Sequence, residues 1–146
     1  SNSRLKANFF SKFVNYPVIS DDSGLSIKSM KNKPGIYSAR LAKQKGNFFK
    51  AMKYILKKMK NKKNRNATFF CSLSIKFPKK KIITVVGKVD GNISEEIIGK
   101  KGFGYDPIFI PNNEKKTFGQ ISKKRKIKMD HRYSAFKKLK KKIKTL

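Results

Sequence analysis

Apolar and polar positions along this chain follow two different periods. Between positions 47 and 59 apolar residues recur at steps of three and four, which predicts an amphipathic helix with Asn47 as its N-cap. Residues 67–77 instead predict a long strand, in which Cys71, Leu73, Ile75 and Phe77 alternate with other residues at a period of two, and residues 81–89 predict its partner. Pro78-Lys79-Lys80 separates them, so they are predicted to form a hairpin of two long strands. Helices and strands therefore mix, and the predicted class is α/β, a mixed twisted sheet flanked by helices.

The two ends of the chain also carry helical patterns. Leu5, Phe9 and Phe13 lie four residues apart within a helix predicted over residues 2–14. Near the other end, Asp130 is a predicted N-cap, and apolar residues follow it at helical steps up to position 143. Asp90-Gly91 is typical of a turn or bulge between strand segments.

Two adjacent carboxylates stand near the start of the chain. Residues 17–19 are apolar and predict a short buried strand, after which come Asp21, Asp22, Ser23 and Gly24. Adjacent carboxylates repel each other, and a Mg²⁺ ion between them would remove that cost. The Ser-Gly pair can offer backbone N–H groups to an anion. The segment therefore indicates a metal–phosphate site at the carboxyl end of a strand, with an ordinary polar turn as the alternative.

The composition indicates one folded domain over residues 1–146 with an extreme charge. The formal net charge is +30, with 38 lysine and arginine residues against 8 acidic ones. Such a charge attracts nucleic acid and other polyanions non-specifically. Lysine dominates the excess and is spread over nearly the whole chain, so codon bias is an alternative to selection for polyanion binding. Arginine, which makes bidentate contacts to bases and phosphates, is scarce.

The cysteine content and the hydropathy of the chain indicate the cellular compartment in which the protein is expected. Cys71 is the single cysteine and lies in an apolar strand pattern, so we expect it to be buried and uninvolved in catalysis. No apolar run has the ~20 residues of a membrane span, and the N-terminal residues show no secretory h-region. These features predict a cytoplasmic protein without membrane contact.

Four separated motifs together resemble the inosine triphosphate pyrophosphatase family. They are Asp21-Asp22-Ser23-Gly24, Gly35-Ile36-Tyr37-Ser38-Ala39-Arg40, Gly102-Phe103-Gly104-Tyr105-Asp106-Pro107-Ile108-Phe109, and Lys126 with His131-Arg132. The resemblance runs over about residues 2–139. It implies an elongated sheet with two lobes and a central cleft, a homodimer, and hydrolysis of deaminated purine nucleoside triphosphates (ITP, dITP, XTP) to the monophosphate and pyrophosphate.

The resemblance also implies a role for each matching residue. Asp22 would be the general base and a Mg²⁺ ligand, Asp21 would support the metal, and Ser23 would contact phosphate. Phe103 offers a flat face for stacking on a purine, and Asp106 can accept hydrogen bonds from a base edge. Gly104 and Tyr105 would complete the pocket wall. The donors expected to recognise a 6-keto group, and so to reject ATP, are Lys126, His131 and Arg132.

The sequence departs from the family pattern in two places. The family has Ser before His-Arg where Asp130 stands here, which would put a negative charge near the substrate. The family also has an upstream strand, a Thr-Gly-Asn-like loop with a phosphate-binding Lys, and a metal-binding Glu, and the chain is expected to be N-terminally truncated relative to it. A fragment, a misplaced start and a chain that lost part of its site are open alternatives. An inactive family member or a basic polyanion-binding protein is the alternative function.

Overall fold

The computed structural model describes residues 1–145, which build a five-stranded sheet flanked by helices. The strand order is β2-β1-β3-β4-β5, and every pairing among them is antiparallel. The predicted α/β class with flanking helices is confirmed, whereas the expected mixture of parallel and antiparallel pairs is not seen in these residues. In chain order the elements are α1 (Asn2–Phe10), β1 (Val18–Ile27), β2 (Lys33–Gly35), α2 (Ser38–Lys45), α3 (Phe48–Met59), β3 (Asn66–Lys76), β4 (Ile82–Ile93), β5 (Phe109–Pro111), α4 (Lys123–Lys126) and α5 (His131–Ile143).

The predicted hairpin and helix caps are confirmed. β3 and β4 pair from Asn66 opposite Asn92 to Lys76 opposite Ile82. The Asn47 side chain accepts the Lys50 N–H at 2.8 Å at the start of α3. β4 runs without a break through the Asp90-Gly91 pair, so the predicted turn there is wrong. Gly91 is required for a different reason, because a Cβ at this position would lie 2.2 Å from the Ile110 carbonyl oxygen of β5.

The apolar core falls into two clusters along the β3–β4 ribbon. The larger one packs α3 against the Leu25 and Phe69 side of the sheet and includes Phe109 and Phe118. The smaller one lies at the other end of the ribbon, where Leu139 of α5 packs on the sheet. Two clusters on one sheet match the two lobes that the resemblance implied. No helix among the described residues is both long and apolar enough to cross a membrane.

α5 lies unusually close to β4. A Cβ on Gly87 would be 2.1 Å from the Ala135 nitrogen and 2.3 Å from the His131 carbonyl oxygen. Only a residue without a side chain therefore allows the first turn of the helix to rest on the strand. Asp130 caps this helix as predicted, since its side chain accepts the Tyr133 N–H at 2.8 Å.

α1 packs on the sheet through small residues rather than through its apolar positions. Ser3 and Ala7 are buried, and the Ser3 hydroxyl is 2.8 Å from the hydroxyls of both Ser72 and Ser74. The apolar side chains that suggested the helix remain exposed, as do several that follow it: Leu5, Phe9, Phe10, Phe13, Val14 and Tyr16. The helix ends at Phe10, four residues before the predicted boundary.

Candidate active site

A cleft with a volume of about 230 Å³ lies along β1 and contains every residue to which the sequence assigned a catalytic, metal-binding or substrate-binding role. It extends between the first turn of α5, the 102–106 loop and α1. The predicted site residues that line it are Asp21, Asp22, Ser23, Phe103, Gly104, Tyr105, Asp106, Lys126, His131 and Arg132. Residues from four separate segments of the chain thus meet in one concave site, as expected for a ligand pocket.

The Asp-Asp-Ser-Gly segment lies inside β1, not after it. β1 continues to Ile27, so the predicted position at the carboxyl end of a short strand is wrong. On its outer side β1 pairs with β2 only from Leu25 onward. Among the described residues, the earlier part of this edge is therefore open toward the cleft.

The open edge presents backbone groups of alternate residues. The Asp21 carbonyl oxygen accepts a hydrogen bond from Lys6 Nζ at 2.7 Å, and the Leu25 N–H donates to Ser38 Oγ at 2.9 Å. In an antiparallel strand, residues of one parity direct both backbone groups to the same edge. The Ser23 N–H therefore faces the cleft, where it can donate to an anion as the sequence suggested.

The two adjacent carboxylates do not converge. Successive residues of a strand point to opposite faces of the sheet. Asp21 is on the face of α5, where its Oδ2 accepts from Arg132 Nε at 3.3 Å and Nη2 at 3.2 Å. Asp22 is directed to the opposite face. A single cation clamped between these two side chains, as the sequence suggested, is not compatible with this geometry.

Unpartnered polar atoms concentrate in the cleft. Within residues 1–145 the buried side-chain nitrogen and oxygen atoms without a hydrogen-bond partner are Ser23 Oγ and both ring nitrogens of His131. All three belong to residues that line the cleft. A buried polar atom without a partner costs about 1–3 kcal/mol, so these atoms need partners from a bound ligand or from ordered water in the cleft.

His131 is a neutral imidazole in this site. Burial lowers its pKa to about 3, assisted by the positive charges of Arg132 and Lys126. The ring stacks on Phe69, with centroids 4.9 Å apart and planes inclined by 16°. A neutral imidazole has one donor and one acceptor nitrogen. His131 can therefore donate to a keto group or, in its other tautomer, accept from a donor at the same position. The expectation that it acts only as a donor is modified accordingly.

Phe103 is an exposed ring beside the cleft. Its side chain is 67% exposed, and it meets the ring of Phe48 edge-on at 5.2 Å between centroids. Tyr105 is buried instead, and its hydroxyl donates to the Ser38 carbonyl at 2.6 Å. Burial raises the pKa of Tyr105 to about 12, so the phenol stays protonated. One aromatic of this loop is thus available for stacking, and the other anchors the loop.

Asp106 holds the loop together rather than standing free in the pocket. Its Oδ2 accepts the Phe103 N–H at 2.6 Å and receives Lys126 Nζ at 2.5 Å. Gly102 adopts φ +78°, and a Cβ there would lie 2.0 Å from the same oxygen. Burial raises the pKa of Asp106, while the bonds from Lys126 and Phe103 oppose that shift. Both of these bonds use Oδ2, so Oδ1 is the oxygen left to accept a hydrogen bond from the edge of a purine base. The predicted role of Asp106 is thereby limited to this one oxygen.

Several residues that line the cleft had no site role predicted from the sequence. Lys6 carries no local signal among so many lysines, and Phe48 fits the apolar stripe of α3 equally well. Ser38 joins the site through its hydroxyl, which bonds to Leu25 and Gly35 and ties α2 to β1. Asp130 lines a separate groove beside α5 rather than the cleft, but its negative charge reaches the cleft, where it helps to raise the pKa of Asp106.

The donor set limits how a metal can be held. The described residues contain no group of three or more His, Cys, Asp or Glu side chains suited to a metal. Mg²⁺ in nucleotide sites is commonly held by one or two carboxylates together with substrate phosphates and water. Asp22 fits this arrangement as a single carboxylate at the open edge, whereas Asp21 is engaged by Arg132.

Comparison with known proteins shows the family of the chain. The model of the Ham1 family matches residues 1–142. The chain belongs to the Ham1 family. A dITP/XTP pyrophosphatase from Bacillus subtilis is 42% identical over 142 residues, which cover 96% of this chain and 72% of that protein. The dITP/XTP pyrophosphatase of Acholeplasma laidlawii is also 42% identical, over 92% of this chain and 66% of its own length.

Solved structures confirm the fold. The Staphylococcus aureus Ham1 protein superposes with a TM-score of 0.92 at 36% identity, covering 99% of this chain and 75% of that one. A HAM1 protein from Coxiella burnetii gives a TM-score of 0.91 at 28% identity. The resemblance carried by the four motifs is thereby confirmed, and the chain spans about two thirds to three quarters of the length of these relatives.

Proposed function

We propose that this protein hydrolyses deaminated purine nucleoside triphosphates (ITP, dITP and XTP) to the monophosphate and pyrophosphate. The observation that carries the proposal is the cleft itself. The exposed residue Phe103 lines it together with Ser23 and His131, whose buried polar atoms have no hydrogen-bond partner. Membership in the Ham1 family and the dITP/XTP pyrophosphatase relatives support it.

On the base side, the ring of Phe103 stacks on the purine, and Lys126 and Arg132 distinguish its 6-substituent. A stacked base gains ~1–3 kcal/mol from an aromatic side chain. Lys126 and Arg132 are donors only, so a 6-keto oxygen satisfies them and a 6-amino group does not. Neutral His131 can adopt the tautomer that donates to the same keto group. Discrimination against ATP therefore rests on the two cations more than on the histidine.

On the phosphate side, the Ser23 N–H and the Lys6 ammonium face the triphosphate along the open edge of β1. Asp22 is the general base that orients and deprotonates the attacking water. Asp22, together with the substrate phosphates, would hold a Mg²⁺ ion, which would supply neutralisation of phosphate charge. Hydrolysis between the α- and β-phosphates releases pyrophosphate.

A pyrophosphate-release assay tests the substrate class. ITP, XTP and ATP are compared at equal concentration with Mg²⁺ at physiological salt, so that attraction to the +30 chain is screened. We expect ITP and XTP to be turned over at least ~10-fold faster than ATP, since unpaired buried donors penalise the wrong base. Lys100→Gln is the control for net charge, because it removes one positive charge at an exposed position outside the cleft. It should leave the preference for ITP over ATP unchanged. Comparable turnover of ATP and ITP would contradict the proposed specificity.

A second property follows from the charge. α4 and α5 expose many lysines, and a groove on α5 is lined by Lys128, Lys137, Lys138 and Lys141. We propose non-specific binding of nucleic acid at low salt, with an affinity that falls steeply as salt rises. Binding to DNA that is unchanged by salt would exclude this electrostatic origin.

We also propose a homodimer in the cytoplasm. The exposed apolar residues of α1 and the segment after it support self-association. Cys71 is free and buried, which suits a reducing compartment. A molar mass that stays monomeric at all accessible concentrations in light scattering would refute the dimer.

A further inference from the structure

We infer that Asp21 is a positioning residue that holds Arg132 in its binding orientation, rather than a metal ligand. This inference rests on the proposed function only in that the ligand is a purine nucleotide. It assigns to the first carboxylate of the Asp-Asp pair a task different from that of the second. The juxtaposition that carries it is the bond from β1 to the first turn of α5 across the side of the cleft.

Two nitrogen atoms of the Arg132 guanidinium bind the same carboxylate oxygen of Asp21. Arg132 Nε and Nη2 both donate to Oδ2 of Asp21, at 3.3 and 3.2 Å. The third guanidinium nitrogen, Nη1, makes no bond in the described residues and is therefore available to a ligand. The Asp21 main chain is fixed independently, because its carbonyl accepts from Lys6 at 2.7 Å. The strand that carries the carboxylate is therefore fixed by β3 on one side and by Lys6 on the other.

The pair cannot serve mainly as a stabilising salt bridge. The side chains are 47% and 48% exposed, and such pairs contribute little to folding. Their effect is instead on the freedom of Arg132. A long arginine chain loses much rotamer entropy when it binds a ligand, and a carboxylate that already orders it reduces that loss.

Three roles for Asp21 predict different signs for Asp21→Asn. If the carboxylate acts only as a negative charge, removing it strengthens binding of an anionic nucleotide. If it is a metal ligand, binding of nucleotide without metal is unchanged and the Mg²⁺ requirement rises. If it positions Arg132, metal-free binding weakens even though a negative charge has been removed. Only the last outcome follows from the present inference.

The test measures ITP affinity by calorimetry on the 146-residue chain, in excess EDTA and at physiological salt. We expect Asp21→Asn to weaken binding by ~2- to 10-fold, the range set by ordering one long side chain. Glu95→Gln is the matched control, since Glu95 also pairs with an arginine, Arg65, but lies outside the cleft. It should leave ITP affinity unchanged.

The double variant completes the test. Arg132→Gln should weaken binding, and adding Asp21→Asn to it should cause no further loss, because the two residues act through one contact. Additive losses, tighter binding by Asp21→Asn, or an unchanged affinity would each overturn the inference. Because the readout is metal-free binding, it can succeed while hydrolysis of ITP fails, or fail while hydrolysis succeeds. The inference and the proposed activity are therefore judged separately.

Discussion

Gly87 on β4 should determine the position of the α5 residues that line the nucleotide cleft. It does not line the cleft, yet it sets how closely the first turn of α5 approaches the sheet. In Gly87→Ala the new Cβ would lie 2.1 Å from the Ala135 nitrogen, while contacts under 3.0 Å are essentially never seen. The neighbours are backbone atoms, so the helix must retreat by about 1 Å, taking His131 and Arg132 with it.

Two consequences are expected from this displacement. Overpacking of this kind costs about 1–3 kcal/mol in the free energy of unfolding. A misplacement of ~1 Å in a binding group can lower the rate ~10²-fold. We therefore expect Gly87→Ala to remain folded with reduced stability, and to lose far more ITP hydrolysis than its stability loss would explain.

The assay pairs urea unfolding with pyrophosphate release from ITP. Gly91→Ala is the matched control, because its Cβ would lie 2.2 Å from the Ile110 carbonyl oxygen and press on β5 instead of α5. The ring resonances of His131, the single histidine, report directly on the displacement. If Gly87→Ala is destabilised no more than Gly91→Ala and hydrolyses ITP at the wild-type rate, the idea that this contact sets the cleft is refuted.

Four further predictions concern single side chains. Asp22→Asn should lower ITP turnover by ~10² or more with unchanged urea unfolding, because the proposed general base is lost from a partly exposed position; near-wild-type turnover would remove it from the mechanism. Phe103→Ala should weaken nucleotide binding by ~5- to 100-fold in calorimetry, with little loss of stability since the ring is 67% exposed; equal affinities would exclude stacking. Arg65→Lys should lower the free energy of unfolding by about 2 kcal/mol, since the guanidinium donates to three backbone carbonyls that one ammonium cannot span; an unchanged urea midpoint would contradict this. His131 has a folded pKa of about 3, below its unfolded value of about 6.5, so the stability it contributes is complete above the unfolded pKa and is lost progressively as pH falls from about 6.5 toward about 3; the same loss in His131→Gln would assign it to other groups.

The sequence determined the elements whose patterns are local. The stripe of α3 with its Asn47 cap, the β3–β4 hairpin and the Asp130 cap all follow from periodicity and side chains that bond to their own neighbours. Most residues of the cleft were also identified from the sequence, because the four motifs that resemble the family are long and rich in glycine and aromatic residues. Local patterns predict secondary structure, and specific motifs predict site residues, from a single sequence.

Only the tertiary structure decided what those residues do. That Asp21 and Asp22 face opposite sides depends on β1 extending through them, which follows from its pairing with β3 over the whole strand. That Asp106 serves the loop depends on Lys126, which lies twenty residues away. Burial of α1 through Ser3 and Ala7 depends on hydroxyls of β3 that its own sequence does not reveal. Each of these outcomes is set by a partner distant in sequence, and such partners are fixed only when the chain folds.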